Sequence, residues 1–90
     1  MVDYESAKAI AELSQEEVDV IARHEGMPEM AALELGNYLV QTPDGERKLK
    51  GMILDDIKAA KERGDTELSA KLKLVLKNFV ETHPRAGKAA

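Results

Sequence analysis

His24 and His83 are the only imidazoles among the 90 residues of this chain, and imidazole is the side chain that moves a proton most readily near neutral pH. Nucleophilic catalysis asks for more: a hydroxyl or thiol, a base within reach of it, and a third group that orients the base. The chain has no cysteine. Its serines at positions 6, 14 and 69 read as helix-start or surface residues, and no nucleophile–base–orienter set is visible. A metal centre needs three or four convergent ligands with supporting hydrogen bonds. His24, Glu25 and Glu29 are close in sequence but straddle a turn, and no recognised ligand spacing occurs. There is no glycine-rich phosphate loop either. The expectation is a protein that is not an enzyme, with no metal and no cofactor.

A second pattern points to nucleic acid. Ala22-Arg23-His24-Glu25-Gly26 has a small residue and then a glycine at the spacing of a helix-turn-helix, and residues 18–39 would form the unit. Ile21, Ala32 and Leu35 fall near positions that are apolar in such units. The helix that would read bases, from Pro28 to Gln41, carries Glu29 and Glu34 and no Lys or Arg. Duplex binding sets cations against phosphates, and carboxylates there repel. The C-terminal helices are richer in bases, among them Arg47, Lys48, Lys58, Lys61, Lys71 and Lys77. Asp55, Asp56, Glu62 and Glu67 interleave with these, and no aromatic ring stands ready for base stacking. Some read as pairs along one helix, such as Glu67 with Lys71 four residues on. Nucleic-acid regulation through either element is therefore the alternative reading, and a solvated helix face is the preferred one.

The elements that hold these residues are helices. Leu49, Ile53, Ile57 and Ala60 recur at helical spacing before Gly64-Asp65, and Leu68, Leu72, Val75 and Phe79 do the same after it. The link is short enough to impose an antiparallel hairpin, pairing Ala60 with Leu68, Ile53 with Val75 and Leu49 with Phe79. Upstream, one helix is expected from Asp3 to about Leu13. A second begins at Ser14, where Ser14-Gln15-Glu16-Glu17 has the form of a capping box, and ends near Gly26. A third opens at Pro28 and runs to about Val40. Thr42-Pro43 starts the fourth, and the fifth stops before His83-Pro84. The fold class expected is all-α, a small compact bundle of about five helices. Residues 1–83 form the domain, and 84–90 a disordered tail. Aromatics are limited to Tyr4, Tyr38 and Phe79, so the core must be aliphatic.

Charge is uneven. Residues 1–42 hold nine acids and two bases, net −7; residues 43–90 hold eight acids and eleven bases, net +3, which together give the overall −4. The simplest reading is that the halves attract within one fold. No apolar run approaches the roughly 20 residues of a membrane span, and the start of the chain lacks the pattern of a signal peptide. With no thiol to oxidise, a cytoplasmic location is expected.

What remains is apolar residues out of place. Leu54 and Leu74 lie on charged sides of their helices, at one height in the hairpin. The simplest reading is that the first three helices cover them within the monomer, and the functional one is an exposed patch for self-association or a partner. Val20 stands apart beside Glu16 and Glu17. Ala31, Leu35, Tyr38 and Leu39 make one face of the third helix, while Met30, Leu33 and Val40 lie on another, which places that helix at the centre of the domain or half in an interface. Asp56 sits at the edge of an apolar stripe. The functional expectation is a non-catalytic protein–protein interaction domain, with a homodimer or a protein partner held through Met30, Leu33, Val40, Leu54 and Leu74. A labelled DNA duplex titrated at physiological salt is expected to show no tight, sequence-dependent, salt-sensitive binding. Such binding would promote the lysines of the last two helices to functional residues.

Overall fold

The protein is described from a computed structural model, which covers residues 13–87. Each helix start has a local cause. In α1 (Gln15–Glu25) the Ser14 hydroxyl accepts from the Glu17 N–H, and the Ser14 N–H donates to the Glu17 carboxylate, completing the capping box. Gly26 ends it at φ 64°, the left-handed conformation that glycine adopts without strain. Pro28 is extended, with ψ 163°, and stands just outside α2 (Glu29–Leu39) rather than as its first residue. Thr42 caps α3 (Pro43–Glu62) by accepting from the Gly45 N–H, and Pro43 takes the first position, where its missing donor has no partner to lose. Asp65 does the same for α4 (Thr66–Thr82) through the Leu68 N–H. A short 3-10 turn, Pro84–Gly87, comes next.

All the regular structure among the described residues is helical: four α-helices and this turn. The first of the five helices expected, Asp3 to about Leu13, lies outside the described residues apart from Leu13, which is buried. Helix α3 touches every other described element, and α4 folds back along it through Arg63-Gly64-Asp65. The six apolar residues expected to meet there, Leu49, Ile53, Ile57, Leu72, Val75 and Phe79, are all buried. Helices α1 and α2 pack on each other and on α3. They add Val18, Val20, Ile21, Ala32, Leu33 and Leu39 to a single continuous core. At the α2–α3 corner the chain passes so close to itself that a Cβ on Gly45 would overlap the Leu39 carbonyl. Glycine there lets the two helices meet.

Three expectations need correction. Among the described elements the centre is α3, not the helix that holds Met30 and Leu33, because the eleven-residue α2 is flanked by α1 and α3 and α3 alone reaches every other described element. Val20 is not a stray surface residue but fully buried. The tail expected to fray from residue 84 instead begins with an ordered turn. Ala86 is buried, and Arg85 is tied to Glu46 and to the Val40 carbonyl.

Phe79, the only Phe of the chain, is fully buried. Truncating it to Ala is expected to lower stability by about 3–5 kcal/mol, a large share of what a small domain has. A loss under about 1 kcal/mol in a denaturant melt would place Phe79 outside the stabilising core.

Candidate interaction surface

Helix α4 is fixed by Leu72, Val75 and Phe79 on its inner side. At about 100° per residue, the residue before Val75 must turn away from the core. Leu74 does so and is 68% exposed. Between Glu67 and Glu81 the helix carries Lys71, Lys73 and Lys77 and no acid, and all three lysines are exposed. None of them forms an ion pair among the described residues, and the pair expected between Glu67 and Lys71 is not made. Beside Leu74 runs an open groove of about 270 Å³. Its walls are Leu74, Val75, Lys71 and Asn78 from α4, with Ser14 and Glu16 from the start of α1.

The other residues singled out from the sequence are scattered. Leu54 is 43% exposed on α3 but is not part of the groove wall. It follows Ile53, whereas Leu74 precedes Val75. In antiparallel helices these opposite steps swing the two leucines to opposite flanks of the hairpin, so a shared height does not make one patch. Leu33 is 2% exposed and belongs to the core, while Met30 and Val40 are half-buried against it. The second apolar side of α2 is thus largely covered within the chain, because α1 and α3 lie on it. Tyr38, assigned from its spacing to an apolar face with Leu35 and Leu39, is instead 74% exposed.

Sequence reasoning missed a buried ion pair. Glu46, in the first turn of α3, is 2% exposed. Its Oε2 accepts from two nitrogens of Arg85, Nε at 2.9 Å and Nη2, and the same Nη2 donates to the Val40 carbonyl at 3.1 Å. The available signal was register: Glu46 lies three residues before Leu49, on the inward stripe. Glu17 is also buried, and so is His83, which stacks on Phe79 with ring centroids 4.5 Å apart. Burial pushes the Glu17 carboxyl above its ordinary range, against the lowering influence of the Ser14 N–H and of the nearby His83.

The remaining polar contacts tie α1 to α3. Asp56, expected at the edge of an apolar stripe, is half-buried, and its partner is Arg23 at 3.5 Å. His24 lies between Glu25, 2.9 Å from Nδ1, and Asp55, 3.3 Å from Nε2. The Glu25 contact raises its pKa, desolvation opposes this, and Asp55 adds to the rise. Among the described residues no group of three or more His, Asp or Glu side chains is placed to hold a metal ion. No described helix is long and apolar enough to cross a membrane. Comparison with protein-family models, with curated proteins and with solved structures finds no match to this chain.

The raised pKa of Glu17 links stability to pH. A carboxyl that holds its proton more tightly when folded adds stability below its unfolded pKa, and that contribution fades as pH rises through the folded value. Glu17→Gln stays neutral throughout and keeps the oxygen that accepts from Ser14. Its stability relative to the parent protein is therefore expected to improve as pH rises from about 4 to about 7. Urea midpoints across that range test this. A constant offset would show that Glu17 titrates alike in the folded and unfolded chain.

Proposed function

We propose that this chain is a non-catalytic, cytoplasmic protein–protein interaction domain, and that it docks another polypeptide on the outer face of α4. The observation that carries the reading is Leu74, 68% exposed beside a groove while its neighbours on α4 complete the core. A lone exposed leucine is ordinary. A leucine at the rim of a groove, on a helix face whose lysines form no ion pair among the described residues, is a better anchor. Fully burying such a side chain against a partner is worth roughly 1.5–3 kcal/mol, enough to change affinity by a factor of ten or more. Leu54 offers a second, separate contact on the opposite flank of the hairpin. The helix-turn-helix alternative has less support, since α2 turns Glu29 and Glu34 to solvent and carries no Lys or Arg. The absence of cysteine suits a reducing compartment.

Self-association is one form of this function, in which a twofold dimer would use the same patch twice; a separate protein partner is the other. Leu74→Lys, and Leu54→Lys with Leu74→Lys together, are expected to weaken the dimer or partner complex while leaving helical content nearly unchanged. Sedimentation at high protein concentration and comparative affinity capture read the two cases. A parent protein that sediments only as a 9.9 kDa species, and that captures nothing the Leu74→Lys variant does not also capture, would overturn the reading.

A further inference from the structure

We infer that the segment docked on α4 is an acidic amphipathic helix belonging to a partner protein, with an aliphatic residue seated beside Leu74 and carboxylates opposite Lys71, Lys73 and Lys77. The inference rests on the proposed docking function and adds the chemistry of the occupant. Three features define it. The face is apolar only along its middle, at Leu74 and the adjoining rim of Val75. Lys71 and Lys77 lie three residues to either side of Leu74 and Lys73 next to it, all exposed, and among the described residues none of the three forms an ion pair; of these only Lys71 lines the groove. The single acid in the groove wall, Glu16, lies at its α1 edge.

The groove runs between the side of α4 and the start of α1, and helices recognise such grooves through apolar residues at i, i+3 or i+4 and i+7. Carboxylates flanking that stripe would face the lysines, giving attraction that speeds encounter and fixes orientation. Ser14 and Asn78 supply polar groups at the margin.

A second copy of this chain is the poorer occupant. Its acidic helices α1 and α2 turn their aliphatic residues inward: Val18, Val20, Ile21, Leu33 and Leu39 are all buried. The large apolar side chain that α2 leaves exposed is Tyr38. Among the described residues, no acidic helix of the chain presents an aliphatic stripe to a neighbour. Nucleic acid would satisfy the lysines but not the leucine, and no aromatic ring lines the groove for base stacking.

The test uses the full chain and a fluorescent synthetic peptide about four helical turns long. Leucines stand at helical spacing along one face of the peptide, with glutamates on the rest. Fluorescence anisotropy is expected to show saturable binding that weakens with added salt. Leu74→Asp is expected to lower affinity by about tenfold or more, in line with losing one buried apolar anchor. Lys71→Glu with Lys77→Glu should do the same and remove the salt dependence, with circular dichroism unchanged in both variants. A peptide with its leucines replaced by alanine should bind far more weakly. The inference fails if the leucine–glutamate peptide does not bind, if it binds these variants as tightly as the parent, or if a single-stranded oligonucleotide of equal charge displaces it at equal concentration. If the peptide fails while sedimentation shows self-association that Leu74→Lys abolishes, the docking function stands and the acidic partner falls. If Leu74→Lys also changes neither sedimentation nor capture, both fall.

Discussion

A core with one phenyl ring hangs on where that ring sits. With a single Phe and no Trp, the interior is filled by Leu, Ile, Val, Met and Ala, and Phe79 is the largest fully buried side chain among the described residues. Its place near the end of α4 organises the C-terminal turn. His83 lies flat against the ring. The Phe79 carbonyl accepts from the His83 N–H at 2.8 Å and from the Thr82 hydroxyl at 3.2 Å. That stack directs the chain into the 3-10 turn and brings Arg85 to Glu46 and to the Val40 carbonyl. One aromatic contact therefore couples the end of α4 to the start of α3 and the end of α2. The same inward commitment of Phe79, Val75 and Leu72 obliges Leu74 and its lysines to face out.

Two carboxylates are taken out of water, and they are treated differently. Glu17 is held by the cap it helps to form, with His83 nearby. Glu46 is held by a guanidinium that reaches it from the far end of the described chain. Desolvating a carboxylate is expensive unless charge and hydrogen bonds replace the lost water. Arg85 remains partly exposed, so this pair lies at the margin of the interior, where water screens part of the attraction. Its value lies in specificity: a buried acid in the first turn of α3 accepts one cation and so fixes where the C-terminal turn docks.

What the sequence discloses is local. The capping box at Ser14, the Thr42-Pro43 start and the Gly26 stop depend on residues a few positions apart, and each is found where the pattern puts it. The two long helices are legible because four or more turns of regular spacing leave one choice of inner face. The same spacing puts Leu54 and Leu74 on the charged sides of their helices, but whether other helices cover them is a tertiary matter that spacing does not decide; both are exposed. Helix α2 has three turns and apolar residues almost all round, so its pattern admits two inner faces. Tyr38, Met30, Leu33 and Val40 were therefore assigned less well. The Glu46–Arg85 pair spans 39 positions, and no periodicity carries information over that distance. The flank on which Leu54 and Leu74 each lie needed the antiparallel geometry as well as their height.

The uneven charge also acquires a meaning that spacing alone does not supply. The simplest expectation was that the acidic first half and basic second half neutralise each other. The contacts between them run the other way. The base Arg23 and the imidazole of His24, from the acidic half, meet Asp56 and Asp55 of the basic half, and Arg85 meets Glu46 within the basic half. Among the described residues, the ion pairs between the halves thus use the minority charge of each, while Arg85–Glu46 and Arg47–Asp44 pair within the basic half. At physiological salt these fields decay over about 8 Å, well short of the 42 Å long axis. The acidic and basic regions therefore act separately on whatever approaches each of them, rather than as one dipole. The lysines of α4 are then a local feature, and any selectivity they confer belongs to that helix face together with the leucine at its centre.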